Sequence, residues 1–238
     1  MRHIDLNADL GEGAPDDAAI LAFVSSANIS CAWHAGDGAT LRAALQACRR
    51  HGVAAGAHPS FPDRAHFGRN PMQRAPADVE ADLIVQIAGL QALAICEGVR
   101  LRHVKPHGAL YNQAARDPVL ADAVARAVRA VDPTLALMGL AGGELLRAAE
   151  RQGLRPLAEA FVDRAYRPDG HLLPRDQPGA LIEDSARAIA QGLALVRGSV
   201  LPQHVDSLCL HGDGPHALAL AAALRRALEA EGCVLRAA

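Results

Sequence analysis

The sequence predicts an α/β fold in which parallel strands close into a barrel. Short apolar segments alternate with longer segments of helical periodicity, which is typical of a parallel sheet with crossover helices. About seven such strand–helix units fit into 238 residues, and no long linker interrupts them. Half of the residues are hydrophobic, enough for one large core, and α/β barrels often reach about 250 residues as one domain. We therefore expect residues 1–238 to form a single β/α-barrel hydrolase domain.

Each predicted strand is a short apolar run bounded by glycine, proline or polar residues. In chain order the strands cover residues 3–7, 25–31, 53–57, 102–105, 135–138, 156–161 and 207–210. The third strand stops at His58, because Pro59 disfavours helical backbone at the residue before it. Seven strands fit a barrel, complete or incomplete, better than an open sheet.

The predicted helices carry apolar residues at every third or fourth position. In the longest helix Leu83, Ile87 and Leu90 recur in this way, and Gly98 follows as a stop signal. Asp117 is a suitable N-cap, with Pro118 as the first helical residue. The helices cover residues 40–50, 78–97, 118–130, 143–152, 179–197 and 215–231.

Composition excludes several classes of function. The net charge is −2, which gives no electrostatic reason to expect nucleic acid or an anionic membrane as partner. The five cysteines are odd in number and show no C-x-x-C spacing, so a reducing cytosol fits better than secretion. We find neither a signal peptide nor an apolar stretch as long as a membrane span, and we expect a soluble cytoplasmic protein.

Polar side chains collect where the predicted strands end. In parallel α/β folds the functional site lies at the carboxyl ends of the strands. Every predicted strand except the fifth is followed by charged or imidazole groups, which would not all fall at one end by chance. These residues, with the amide that accompanies them, are Asn7, Asp9, Glu12, His34, Asp37, His58, Lys105, His107, Glu159, Asp163, Arg164, His211 and Asp213.

The first two strand ends supply carboxylates and an imidazole. Asp9 and Glu12 lie in one turn and could act as a general base and a charge-stabilising group; a solvated loop, or Asp9 as a helix cap, is an equal alternative. His34 precedes Gly36, which allows a sharp turn, and Asp37, which is expected to cap the next helix. We favour function for His34 because His58 and His107 hold equivalent positions.

The segment His103-Val104-Lys105-Pro106-His107-Gly108 is the most informative run. A lysine at the mouth of a barrel could hold a substrate carboxylate or phosphate, or polarise a carbonyl group. An ordinary edge lysine is the alternative, but Pro106 and Gly108 indicate a shaped turn. We therefore predict a functional Lys105.

Other chemistry is less well supported by motifs. Ser60 follows a histidine but lacks a G-x-S-x-G elbow, and Cys31 is expected to be buried packing. Histidines and carboxylates together suit Zn or Mn, yet no H-E-x-x-H or related motif occurs, so a divalent metal stays open. No Gly-rich phosphate loop is present, so any ATP is held in another way.

Taken together, these segments resemble the LamB/YcsF family. The resemblance spans nearly the whole chain in order, and the run from His103 to Asn112 is highly specific. Its motifs are Asp5-Leu6-Asn7 with Asp9 and Gly11-Glu12, residues 25–29 with His34-Ala35-Gly36-Asp37, Gly56-Ala57-His58-Pro59 with Pro62-Asp63, Phe67-Gly68-Arg69, residues 103–112, Glu159 with Phe161, Asp163-Arg164 and Tyr166, and His211-Gly212-Asp213.

The resemblance implies an irregular seven-stranded (β/α) barrel of the glycoside hydrolase/deacetylase type. It also implies ATP-dependent opening of 5-oxo-L-proline to L-glutamate, shared with two partner proteins, the 5-oxoprolinase subunits B and C. With the strand-end pattern it assigns the catalytic set Asp9, Glu12, His34, His58, Lys105 and His107. The substrate-binding set is Asn7, Arg69, Glu159, Asp163, Arg164, His211 and Asp213.

The chain departs from the family pattern beside these groups. Ala32-Trp33 stands where the family has Gly-Phe, and Ser60-Phe61 where it has Gly-Tyr. The ionisable groups are kept, so the departures bear on the substrate pocket more than on the reaction class. Two alternatives remain: a metal-dependent deacetylase or other amidohydrolase on the same barrel, and a non-catalytic subunit that binds a small molecule.

Overall fold

A computed structural model describes residues 2–211 and 216–238 and contains a closed barrel of seven parallel strands. The barrel closes because β1 pairs with β2 on one side and with β7 on the other, as the sequence predicts. A short eighth strand lies beside the first residues of β1. The strands are β1 (Arg2–Leu10), β2 (Ser26–Ser30), β3 (Ala54–His58), β4 (Leu101–Val104), β5 (Ala136–Leu140), β6 (Pro156–Phe161), β7 (Ser207–Leu210) and β8 (Cys233–Leu235).

Eight α-helices occur in the described part of the chain. They are α1 (Asp17–Ile20), α2 (Gly38–His51), α3 (Pro76–Cys96), α4 (Gly108–Ala114), α5 (Pro118–Val131), α6 (Glu144–Arg151), α7 (Ser185–Arg197) and α8 (Ala217–Ala230). Helices α1 and α4 and strand β8 are not predicted from the sequence, because they are short and lack a long periodic pattern.

One predicted helix begins later than expected. Residue 179 was predicted to start it, but α7 starts at Ser185, where the side chain of Asp184 accepts a hydrogen bond from the Arg187 amide. The preceding residues instead pair with the segment after β6, since Arg164 forms an isolated bridge with Leu181. A side-chain cap and this pairing with a segment about 17 residues earlier in the chain therefore set the boundary.

The caps predicted at two other helices are confirmed. The Asp37 side chain accepts from the amide of Thr40 at the start of α2, and Gly52 ends that helix in the left-handed region at φ 69°. Asp117 accepts from the amides of Val119 and Leu120 at the start of α5. These interactions satisfy backbone groups that have no partner inside the helix.

The long apolar helix α3 corrects one expectation. By length and composition it could cross a membrane, although the sequence analysis found no such stretch. In the fold it lies against α5 and the barrel, and its Leu83, Ile87 and Leu90 are buried. One face of α3 is therefore part of the packed core, while Val85 and Ile95 on the same helix are exposed.

Strand β1 alternates between two environments. Leu6 and Leu10 belong to the hydrophobic core, whereas Asp5, Asn7 and Asp9 bond to side chains of other strands. Successive side chains of a strand point to opposite faces, so one strand supplies both apolar packing and the polar interior of the barrel. This alternation directs the polar side chains of β1 into the interior of the barrel.

Candidate active site

Two connected clusters lie at the carboxyl ends of the strands. The ion-pair network consists of Asp9, Lys105 and Glu159, from β1, the end of β4 and β6. The histidine cluster consists of Glu12, His34, His58 and His107, which follow or end β1, β2, β3 and β4. The structure thus brings together all six residues predicted to be catalytic, and Glu159 with them.

Lys105 is the centre of the ion-pair network. Its Nζ lies 2.9 Å from Asp9 Oδ1, 2.8 Å from Glu159 Oε1 and 3.1 Å from Cys209 Sγ. The side chain is only 2% exposed, so the alternative of an edge lysine is wrong. Three acceptors match the three protons of an ammonium group, which leaves none free for a substrate carboxylate.

The network favours the charged forms of Lys105 and Asp9. Burial alone would lower the pKa of Lys105, but its interactions with Asp9, Cys209 and Glu159 raise it well above its usual value. Burial would raise the pKa of Asp9, yet His58 and Lys105 hold it well below its usual range. Asp9 is therefore a carboxylate at neutral pH and is available as a proton acceptor.

Uncharged side chains hold the carboxylates of Asp9 and Glu159 in place. Of these side chains, the sequence predicted a site role for Asn7 but not for Asn28 or Tyr111. The Asn28 amide donates to Asp9 Oδ1 at 2.8 Å, and the Tyr111 hydroxyl donates to Glu159 Oε2 at 2.8 Å. The Asn7 amide, which was predicted to bind substrate, donates to Glu159 Oε1 at 2.9 Å. A polar residue inside an apolar strand was the available signal for Asn28.

The three imidazole rings of the histidine cluster touch one another. The rings of His34 and His107 stack with centroids 3.9 Å apart and planes inclined by 3°. His58 stands nearly perpendicular to both, at 5.6 Å from His34 and 4.8 Å from His107. All three residues are at least 95% buried.

Hydrogen bonds fix the orientation of each ring. His58 Nδ1 donates to the Lys105 carbonyl at 2.7 Å, and His107 Nε2 donates to the Phe67 carbonyl at 2.8 Å. His34 Nε2 lies 3.0 Å from Glu12 Oε1, while its Nδ1 is buried without a hydrogen-bond partner among the described residues. His58 Nε2 lies 3.4 Å from Asp9 Oδ2 and so joins the two clusters.

Two rings of the cluster are neutral at neutral pH. Burial and the neighbouring His58 lower the pKa of His34 to about 2. Burial and His34 keep the pKa of His107 well below its usual value. A neutral imidazole retains a lone pair, so each of these rings can accept a proton or bind a metal ion.

Glycines allow the close packing of the rings. Gly68 has a φ of 65°, and a Cβ there would lie 3.0 Å from His34 and 3.0 Å from His107. Gly36 has a φ of 72°, and a Cβ there would lie 2.3 Å from the Gly11 carbonyl oxygen. Larger residues would push apart the turns that carry the cluster.

A second group of predicted residues lies around Phe161. His211 stacks on the Phe161 ring with centroids 5.6 Å apart, and its Nδ1 lies 2.9 Å from Asp163 Oδ2. Arg164 is 4% exposed and donates from Nη2 to the Leu173 carbonyl, but its buried Nε has no hydrogen-bond partner among the described residues. The Lys105 Nζ lies 5.2 Å from the Phe161 ring centre, which links this group to the ion-pair network.

One predicted residue, Arg69, stands apart from these groups, and another is not described by the structure. Arg69 is exposed and places its guanidinium 4.7 Å from the ring centre of Phe67, which borders the histidine cluster. Asp213 lies outside the described residues. The structure therefore positions every other residue of the predicted substrate-binding set.

Neither candidate nucleophile is placed for chemistry. Burial raises the pKa of the Cys31 thiol to about 12. The Ser60 hydroxyl donates to the Phe61 carbonyl at 2.9 Å, so its proton is bound to a backbone acceptor and not to a catalytic base. The arrangement therefore favours chemistry by a bound water molecule, with carboxylates and imidazoles moving protons.

The histidine cluster also has the composition of a metal site. Glu12, His34, His58 and His107 each offer one donor atom, and these atoms all lie within 4.8 Å of one another. Three nitrogens and a carboxylate oxygen are donors that Zn²⁺ accepts.

Comparison with known proteins places this site in one family. A model of the LamB/YcsF family matches residues 4–238. The crystal structure of the lactam utilization protein from Thermus thermophilus is similar with 41% sequence identity and a TM-score of 0.89, over 99% of this chain and 100% of that chain.

More distant structures share only the fold. A peptidoglycan N-acetylglucosamine deacetylase domain from Eubacterium rectale has 10% identity and a TM-score of 0.56, over 100% of this chain and 88% of that chain. A family 4 carbohydrate esterase from Streptomyces lividans has 12% identity and a TM-score of 0.50, over 98% and 91%. The chain thus shares its barrel fold with these deacetylase and esterase domains, and the family model over residues 4–238 with the 41% identical lactam utilization protein shows that the protein belongs to the LamB/YcsF family.

Proposed function

We propose that this protein is the subunit of an ATP-dependent 5-oxoprolinase that supplies the hydrolytic pocket for 5-oxo-L-proline. The observation that carries the proposal is the buried arrangement in which ionised Asp9 lies between Lys105 and His58. The likeness to a lactam utilization protein over the whole chain supports a cyclic amide as substrate.

The reaction sets clear demands on the pocket. A lactam carbonyl is a poor electrophile, and transfer of the ATP γ-phosphoryl group to its oxygen would make the carbon reactive. Water then adds to that carbon, the C–N bond breaks, and the nitrogen takes a proton. Hydrolysis of the phosphorylated product releases phosphate. Overall, 5-oxoproline, one ATP and two water molecules give glutamate, ADP and phosphate.

The residues of the site match these proton transfers. Asp9 is ionised and can accept a proton from the attacking water and return it to the leaving nitrogen. The histidine cluster lies directly beside it, with His58 Nε2 3.4 Å from Asp9 Oδ2. Lys105 holds Asp9 in place and keeps its charge, so we assign it a positioning role.

Arg164 is the best candidate for holding the substrate carboxylate. Its Nε is buried and has no hydrogen-bond partner among the described residues, although an unsatisfied buried donor is costly. A carboxylate bound there would satisfy it, and a guanidinium suits that geometry.

Activation by ATP is assigned to the assembled complex with subunits B and C. This chain has no Gly-rich loop for phosphates. The test measures glutamate and phosphate released from 5-oxoproline and ATP by the chain alone, then with both partners. We expect turnover only in the complex, which Asp9→Asn should abolish and the exposed control Asp169→Asn should leave unchanged. Robust ATP-dependent turnover by the isolated chain would contradict this division of labour.

A metal-dependent amidohydrolase is the second candidate, favoured by the four converging donors of the histidine cluster. This candidate predicts that the chain hydrolyses an amide without ATP. That activity should be lost on treatment with EDTA and should return when Zn²⁺ is added. Binding of 5-oxoproline without turnover, even with both partners, would instead indicate a non-catalytic subunit.

We place the protein in the cytosol, because all five cysteines are free thiols.

A further inference from the structure

Two imidazole nitrogens of the histidine cluster face each other. The other nitrogen of each ring donates to a backbone carbonyl, of Lys105 for His58 and of Phe67 for His107. A carbonyl oxygen only accepts, so each of these outer nitrogens carries a proton. The inner nitrogens, His58 Nε2 and His107 Nδ1, lie 2.9 Å apart inside the cluster. Each of them can offer a lone pair to the same point.

Further donors converge on the same point. Glu12 Oε1 lies 3.7 Å from His107 Nδ1 and 3.0 Å from His34 Nε2. One proton can be shared between two atoms, whereas a metal ion accepts electron pairs from four. The number of converging donors therefore favours a metal ion over a shared proton.

We propose that Glu12, His34, His58 and His107 bind one divalent transition-metal ion of the zinc type. Imidazole nitrogens suit such ions, while Mg²⁺ and Ca²⁺ prefer oxygen ligands only. Zn–N bonds of about 2.0–2.1 Å in a tetrahedron place ligand atoms about 3.3 Å apart. Three of the separations in the cluster, 2.9, 3.0 and 3.7 Å, bracket that value, and all four donor atoms lie within 4.8 Å of one another, so a bound ion would draw the wider pairs together.

The surroundings of the rings support this assignment. Metal-binding histidines commonly donate their second nitrogen to a carbonyl or carboxylate, which fixes the ring, as His58 and His107 do here. The Nδ1 of His34 has no such anchor among the described residues, so the position of this ring depends on the bond at Nε2 and on stacking. A dication would also offset the negative charge of Asp9, whose Oδ2 lies 3.4 Å from His58 Nε2.

The test measures the ion directly. The full chain is treated with a chelator, titrated with Zn²⁺ by calorimetry, and assayed for retained zinc after gel filtration. We expect one ion per chain, lost in His107→Ala and in Glu12→Gln. The control is His204→Ala, because His204 is exposed and, among the described residues, pairs with Asp206 outside the cluster. No bound zinc in the wild-type chain, or unchanged binding in both cluster variants, would overturn the proposal.

A second readout avoids variants that could fail to fold. Binding to the folded state should raise the unfolding temperature of the wild-type chain with increasing Zn²⁺. Co²⁺ in the same site should give visible absorption bands of a tetrahedral ion; an octahedral spectrum and no thermal shift would overturn the site. Neither measurement uses substrate or partner subunits, so its failure is distinguishable from failure of the proposed reaction.

Discussion

At the scale of single residues, Lys105 is unusual because it is the only lysine in the sequence. All other positive side chains apart from histidine are arginines. A compact ammonium fits between Asp9, Glu159 and Cys209, where a planar guanidinium with five donors would not. The sequence could place Lys105 at a strand end, but its burial between two carboxylates required the closed barrel.

Removing that ammonium should affect folding as well as activity. Lys105→Met leaves the Asp9 and Glu159 carboxylates buried without a counter-charge, so we expect a loss of about 3–5 kcal/mol in the free energy of unfolding. Denaturant unfolding and turnover of the reconstituted complex measure the two effects. Lys105→Met combined with Glu159→Gln should regain part of the stability. Equal stability of wild type and Lys105→Met would contradict the structural account.

Acid should destabilise the protein through buried His103. Its ring lies 2.7 Å from Asn28 Oδ1, and burial together with Lys105 lowers its pKa to about 3. The unfolded chain binds a proton near pH 6.5 and the folded chain does not, so stability is complete above pH 6.5 and falls as the pH drops towards 3.

The size of this effect can be measured with one variant. A single such group changes the free energy of unfolding by about 1.4 kcal/mol per pH unit within that window. We expect His103→Asn to lose stability less steeply between pH 6 and 4 in denaturant titrations. Equal slopes for the two proteins would refute the assignment, and the exposed His204→Ala serves as control.

At the scale of elements, residue patterns located most strands and helices but not all boundaries. The helical spacing of apolar residues and the Asp N-caps predicted α2 and α5, because both are local properties of the sequence. The start of α7 depended on pairing between Arg164 and Leu181, which is not a local property. The strand-end pattern predicted the six catalytic candidates. Asn28 lies inside the motif of residues 25–29 but was given no role, because it falls within a strand and not at its end.

The cap of α5 provides a test at this scale. Asp117→Ala removes the acceptor for the amides of Val119 and Leu120, and we expect a loss of about 1 kcal/mol in the free energy of unfolding. Asp117→Asn keeps an acceptor and should retain most of the stability. Urea unfolding measures both variants, and catalytic turnover should stay unchanged. A loss as large in the Asn variant would assign the effect to charge instead of capping.

At the scale of the whole molecule, closure of the barrel assembles the site. Asn7 in β1 bonds to Glu159 and Ser207, which lie 152 and 200 residues further along the chain. Such distant pairings cannot be read from periodicity, which is why the sequence predicted the ring of strands but not the network inside it. The polar interior and the closing pair of strands therefore form together.

Burial of the single lysine also determines how the protein reacts with reagents that modify amines. With its Nζ enclosed by two carboxylates and a thiol, the chain presents no ε-amino group to solvent. Reagents and enzymes that acylate, glycate or conjugate lysine side chains find no substrate on the folded surface. The only ε-amine becomes reactive when the barrel opens, so lysine modification reports unfolding of this protein and nothing else.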